Sequence, residues 1–162
     1  MDAVPAGASS SRPAPASNVR RAAIGDAAAL VELTVQLGYP SDPDAITARL
    51  DDLLVRDDHQ VLVTCDGDGR AVGWIHVAER RLLESPPHAE ILGLVVHRDY
   101  RRQHRGERLV SAAEAWAAGR ALAFVSVRSN VTRAESHPFY ERLGYVRAKT
   151  QHAYRKQISR EP

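Results

Sequence analysis

Thiols are nearly missing from this chain. Cys65 is the single cysteine in 162 residues, so no internal disulfide forms and the fold has to rest on a packed core. Cys65 falls in an apolar segment and reads as a small buried hydrophobe. Lysine is scarce as well, with two lysines against 20 arginines, a bias that coding composition also produces in so alanine-rich a chain. No apolar run approaches the roughly 18 residues that a membrane helix needs, so no membrane partner is expected. The N-terminus lacks the charged-then-apolar layout of a secretory signal, which leaves the cytoplasm as the expected location. The net charge is only +2 and supplies no bulk attraction to nucleic acid.

What the chain has is one domain's worth of patterned sequence behind a tail. Residues 1–18 are Ala, Pro, Ser and Gly with almost no bulky apolar side chains, and they read as a disordered tail. Residues 19–162 read as a single domain. Val19 to Ala23 is a short first strand. Gly25 and Asp26 open a helix with apolar positions at Ala29, Leu30, Leu33 and Leu37. Ser41 or Asp42 caps a second helix, with Pro43 in its first turn, that runs to about Val55. Gln60 to Cys65 and Ala71 to Val77 flank a glycine turn and form a hairpin. Residues 80–88 read as a loop around Pro86 and Pro87, and Glu90 to Val96 as the central strand. A third helix is expected over residues 107–118 and a strand from Leu122 to Val127. Pro138 is harmless only in the first turn of a helix, so the last helix starts near residues 134–136. It stops at Leu143, with Gly144 as its left-handed cap. Two short strands, about 145–149 and 152–157, close the chain. Helices alternating with a hairpin and a central strand make a mixed α/β domain.

Residues 89–118 carry the chemistry. The apolar run Ile91 to Val96 stops at Arg101, Arg102 and Arg105, which lead through Gly106 into a helix with Leu109, Ala112, Ala113 and Trp116 on one face. A buried strand thus delivers a basic loop to a helix N-terminus, where free N–H groups and the positive end of the helix dipole make an anion site. Three arginines suit an anion with several charges, a nucleotide or pyrophosphate. The opposite charge gathers at residues 41–58, with Asp42, Asp44, Asp51, Asp52, Asp57 and Asp58 against Arg49 and Arg56. One basic and one acidic patch suit an anionic cofactor and a cationic substrate; solvated surface is the plainer reading of the acidic one.

Metal motifs fail on inspection. The Asp-x-Asp-Gly at Asp66 lacks the other ligands of a calcium loop. His88 and Glu90 begin like a zinc deaminase motif, but the paired cysteines it needs are absent. No metal is expected.

The basic loop resembles that of the GNAT superfamily of acetyl-CoA-dependent N-acetyltransferases, an Arg/Gln-x-x-Gly-x-Gly/Ala pattern after the central strand. Arg101, Arg102, Gln103, His104, Arg105 and Gly106 match it, with His104 in place of the first glycine. A second resemblance is HPFYERLGY, residues 137–145, which looks like the closing helix of that family. The likeness covers about residues 19–157. It implies a twisted, mostly antiparallel sheet with helices on both faces. It also implies direct transfer of acetyl from acetyl-CoA to a small-molecule amine, in a protein of bacterial type and with a homodimer as a common assembly.

The resemblance also distributes roles. Backbone groups of Leu94, Val95 and Val96 hold the pantetheine arm, beside a bulge that Gly93 permits. The pyrophosphate falls to Arg101, Arg102, Gln103, His104, Arg105, Gly106 and Glu107. If position 104 has positive φ, its histidine costs about 1–2 kcal/mol. Arg133 stands where many relatives keep an asparagine near the cofactor, and Asn130 lies three residues early. Tyr140 matches the acid that protonates the leaving thiolate. Glu90 is the candidate base, two residues before the glutamate of many relatives; by the period of two it shares a face with Leu92, Leu94 and Val96. A charge at the start of the strand is its other reading, and His76, His88 and His97 are alternative bases. A second function stays open, an acyl-CoA-binding regulatory module with the same fold and no turnover. A nucleic-acid-binding domain would need a second basic patch, which the chain lacks.

Overall fold

The computed structural model describes residues 18–130 and 134–158. They fall into two compact units, one ending at Arg128 and one starting at Ser129. The tail expected over residues 1–18 lies outside the described residues except for Asn18.

The first unit is a five-stranded sheet in the order β1-β2-β3-β4-β5, antiparallel except for the β4–β5 pair. Strand β1 (Val19–Arg21) leads through a 3-10 turn (Ile24–Asp26) into α1 (Ala27–Gln36) and α2 (Pro43–Leu54). Asp42 caps α2 by accepting from the Ala45 N–H, with Pro43 at the first helical position. Asp26 locks the entry to α1: its carboxylate takes Arg20 at 2.7 and 2.8 Å and the Ala23 N–H at 2.8 Å. Hydrogen bonding to Arg20 holds that carboxyl below its usual range.

Strands β2 (His59–Cys65) and β3 (Ala71–Leu82) are joined by a turn that Asp66 organises, accepting from the Asp68 and Arg70 N–H groups while Gly69 takes positive φ. β4 (Ser85–Val96) follows, then α3 (Arg105–Gly119) and β5 (Val125–Val127). The α1–α2 side of the sheet holds a core of Leu30, Leu50, Val61 and Val63 with Trp74 against it. Helix α3 lies on the other side, where Arg105 reaches Thr64 and Arg120 clasps Glu79. Thr64 and Glu79 alternate with Val63 and Ala78 along their strands and so point away from α1 and α2. Arg120 draws the Glu79 carboxyl below its usual range.

Two expectations fail in this unit. Residues 80–88 are not a loop: β3 runs on to Leu82 and β4 starts at Ser85, with Leu82 paired to Ser85 and Arg80 to His88. Pro86 and Pro87 fit because both fall in the register shift between Arg80 and Leu82, where neither has a β3 partner, and β4 has its β5 partner only from Ala89 onward, so neither missing N–H breaks a ladder. β5 is also three residues shorter than the expected strand from Leu122.

The second unit holds α4 (Ser136–Arg142), with Pro138 in its first turn as required. Gly144 has φ of 88°, its N–H donates to the Glu141 carbonyl, and the Tyr145 N–H donates to the Tyr140 carbonyl, the paired bonds of a Schellman cap. Among the described residues, 145–158 form no strand, against expectation. Val146, Tyr154 and Ile158 are exposed, and an extended segment without a ladder partner has nothing to fix it as a strand.

Candidate active site

Strand β4 changes character at one residue. Ile91 pairs with Val77 and Gly93 with His76, so Leu92 is the extra residue of a β-bulge. Pairing with β5 ends at the same place, at Ile91 with Val127. From Leu92 to Val96 the strand keeps β3 on one side and, among the described residues, has no β5 partner on the other. On that side no strand pairs with the segment that holds Leu94, Val95 and Val96, and the Val96 carbonyl accepts from the Arg101 side chain. Gly93, next to the extra residue, leaves room for Trp74: a Cβ there would lie 2.7 Å from its ring.

The bulge reverses the expected facing of the side chains. Cross-strand partners share a face, so Glu90 (opposite Ala78), Gly93 (opposite His76) and Val95 (opposite Trp74) lie toward α1 and α2. Leu94 and Val96 face the α3 side. A strict period of two put Glu90 with Leu92, Leu94 and Val96, and one inserted residue overturns that.

Glu90 is buried in mid-strand, not exposed at a strand start. Arg80 Nε donates to its Oε2 at 2.7 Å and Arg128 Nε lies 2.9 Å from its Oε1. Both oxygens are committed to guanidinium groups, which suits a structural ion pair better than a base. On the same face His59 Nδ1 and His76 Nε2 share a hydrogen bond of 2.8 Å. Burial, then His59 and Arg80, push His76 down to about 4, so it is neutral at ordinary pH. Sequence reasoning named His76 but missed its partner; counting back from the Asp66 turn sets His59 diagonal to His76.

The other histidines are occupied elsewhere. His88 is buried, stacked on Phe124 with ring centroids 4.5 Å apart. His97 Nε2 lies 3.2 Å from Glu32, in the wall of a polar pocket of about 260 Å³ that Arg70 and Tyr100 also line.

The loop after β4 carries the basic residues. Arg101, Arg102, Gln103 and His104 are exposed. Arg101 Nε donates to the Val96 carbonyl at 3.3 Å. Arg105 turns inward instead: it donates to the Cys65 carbonyl at 2.7 Å and lies over the Tyr100 ring. Its guanidinium therefore ties the loop to β2. His104 is the residue before α3 and has φ of 56°, in the left-handed region that the glycine pattern implies; Arg102, at 59°, shares it. No side chain caps α3, so the N–H groups of Arg105, Gly106 and Glu107 lack helical acceptors and sit at the positive end of the helix dipole. His104 Nδ1 stands 2.8 Å from Glu107.

Tyr140 lies in the second unit, packed edge-on between Phe139 and Tyr145 at 5.1 and 5.6 Å. His137 Nε2 donates to the Asn130 carbonyl at 3.2 Å. Arg133 lies outside the described residues. Among the described residues, no three His, Cys, Asp or Glu side chains gather as a metal site, and no helix is long and apolar enough to cross a membrane.

An open strand edge leading to an uncapped basic helix start agrees with a family match: residues 27–145 fit the model of the acetyltransferase (GNAT) family. The chain belongs to that family. Solved structures agree in fold. An aminoglycoside antibiotic 6'-N-acetyltransferase of Acinetobacter baumannii superposes with a TM-score of 0.77 at 19% identity, over 87% of this chain and 98% of that one. AAC(6')-Iy, solved with the bisubstrate analogue CoA-S-monomethyl-acetylneamine, gives 0.76 at 19% identity over 86% and 97%. Glucosamine-6-phosphate N-acetyltransferase of Arabidopsis thaliana gives 0.75 at 19% identity over 86% and 97%. At these identities the likeness is one of fold. No curated protein matches the chain.

Proposed function

We propose that this GNAT protein is a cytoplasmic N-acetyltransferase that moves the acetyl group of acetyl-CoA to a primary amine of a small, cationic acceptor. The observation that carries the reading is the uncapped α3 N-terminus, flanked by Arg101 and Arg102 and continuous with the open edge of β4. Backbone groups of Leu94, Val95 and Val96 would hold the pantetheine arm. The N–H groups from Gln103 to Glu107, with Arg101 and Arg102, would hold the pyrophosphate. Arg105 positions that loop through β2. Tyr140 is proposed as the acid for the departing thiolate, on its match to the family motif. Glu90, held by two arginines, orders the strand.

The cationic acceptor is proposed from the acidic surface of α2. Asp42 serves as its cap and Asp58 is engaged by Arg56, which leaves Asp44, Asp51 and Asp52 exposed along the helix. AAC(6')-Iy, of the same fold, was solved with an acetylneamine conjugate of CoA, which lends the amine class support.

Calorimetric titration with acetyl-CoA, followed by thiol release over spermidine, neamine and glucosamine 6-phosphate, tests this. Binding with turnover on the cationic amines is the expected result. Binding without turnover on any amine would instead make the chain an acyl-CoA-binding regulatory module, a reading that the clamped Glu90 favours. Tyr140→Phe should lower kcat about 100-fold with little change in the KM for acetyl-CoA. A loss of stability with kcat intact would return Tyr140 to packing.

A further inference from the structure

A histidine pair lies beside the bulge in β4. His76 is opposite Gly93, the residue that follows the bulge, and its ring lies on the sheet face of Trp74 and Glu90. His59 Nδ1 is 2.8 Å from His76 Nε2, and His59 Nε2 is 3.9 Å from Asp58 Oδ2. The His59 side chain is 15% exposed and that of Asp58 40%, so the three groups step from the strand row at the bulge out to solvent. Glu90, the other carboxylate on that face, is buried between Arg80 and Arg128, whereas Asp58, which Arg56 holds at 3.0 Å through both oxygens, stands open to solvent.

We propose that His76, His59 and Asp58 form a proton relay that carries the acceptor amine's proton from the bulge in β4 to solvent. The relay rests on the acetyltransferase reading. In the transfer, the amine nitrogen bonds to the thioester carbonyl carbon and the C–S bond breaks, its electron pair leaving on sulfur as thiolate. A general acid protonates the thiolate. The surplus proton on nitrogen passes through a water to His76 Nδ1. His76 gives its Nε2 proton to His59 Nδ1, and His59 gives its Nε2 proton across the 3.9 Å gap, through water, to the Asp58 carboxylate. That direction requires the Nε2–H tautomer at both rings.

The environment suits a carrier better than a store. Burial depresses both imidazoles; Asp58 and Asp52 oppose that at His59, while Arg56 and Arg80 reinforce it, and His59 and Arg80 reinforce it at His76. A proton on His76 is therefore short-lived and moves on.

Amide substitutions separate relay from packing. His59→Asn and His76→Gln each leave an amide group to keep the shared hydrogen bond, and neither can pass a proton. Purified full-length protein with acetyl-CoA and spermidine, neamine or glucosamine 6-phosphate is assayed from about pH 6 to 9, with and without free imidazole. Each variant should melt like wild type and lose about 10- to 100-fold in kcat, with KM for acetyl-CoA within about twofold. The double variant should be no slower than the worse single, as links in series require, and imidazole should restore part of the rate. Unchanged kcat in folded variants overturns the relay and leaves the acetyltransferase reading standing. Losses that merely follow the folded fraction, without imidazole rescue, overturn it as well. No transfer by wild type to any of the three amines overturns both.

Discussion

The parts of β4 before and after Leu92 belong to one strand and have opposite roles. Ala89, Glu90 and Ile91 are paired on both sides and almost fully buried. Gly93 to Val96 are paired to β3 alone, and Leu92, the extra residue between the two parts, is 40% exposed. One extra residue separates the halves. A β-ladder satisfies backbone groups by using them up, and a strand that must bind a ligand through its backbone has to leave some unused. The bulge does this without giving up the β3 pairing on the other side.

Deleting Leu92 breaks the contrast most directly. Ile91 opposite Val77 and Gly93 opposite His76 then become consecutive ladder steps, so every β3 partner is kept while the bulge goes. The expected outcome is a folded protein with acetyl-CoA affinity down about 10- to 100-fold, the scale of losing about two backbone hydrogen bonds to the ligand. Calorimetry with a melting curve checks it. Near-native affinity would show that the open edge does not depend on the bulge.

Glu90→Gln probes the closed half. Two charge-assisted bonds to a buried carboxylate are weakened, which should cost about 2–3 kcal/mol in denaturant unfolding. Turnover per folded molecule should stay within about threefold. A fall of about 100-fold in kcat with stability intact would restore Glu90 to the role of base.

Local signals made most of the frame legible. Asp42 and Pro43 announce the start of α2, Pro138 and Gly144 bracket α4, and the Asp66 turn sets the hairpin. Each depends on backbone chemistry within a few residues. What escaped depends on partners far along the chain. Gly93 marked the bulge but not which residue was extra, and that one choice decides which face Leu94 and Val96 take. Pro86 and Pro87 read as loop because their harmlessness depends on a register shift between β3 and β4 and on where β5 begins. The inward turn of Arg105 depends on a carbonyl of β2, 40 residues away.

A smaller effect tests the loop itself. Arg101→Ala with Arg102→Ala should weaken acetyl-CoA binding by about 1–3 kcal/mol in total, with added salt narrowing the difference. Arg105→Ala should act differently: it loses the bond to the Cys65 carbonyl and should lower the melting temperature along with the affinity. Equal binding by the double variant and wild type would remove the two exposed arginines from the phosphate site.

The smallest effects come from the two ends of α3, which carry the same strain for different reasons. Ala121, φ 55°, ends the helix with its N–H on the Ala118 carbonyl and the Leu122 N–H on the Ala117 carbonyl, the cap that Gly144 makes for α4. His104, φ 56°, starts it. A residue with a Cβ pays about 1 kcal/mol or more in this region, partly offset by the freer unfolded chain that glycine brings. Ala121→Gly should therefore stabilise by about 0.5–1 kcal/mol and leave acetyl-CoA binding untouched. His104→Gly should stabilise similarly, since the exposed contact with Glu107 that it loses is worth little. The strain at His104 is present without cofactor, so it should cancel between free and bound protein, and affinity should stay within about twofold. Tighter binding in the His104 variant alone would mean that the loop relaxes when empty and is strained again by acetyl-CoA. Weaker binding would mean that the imidazole itself touches the cofactor.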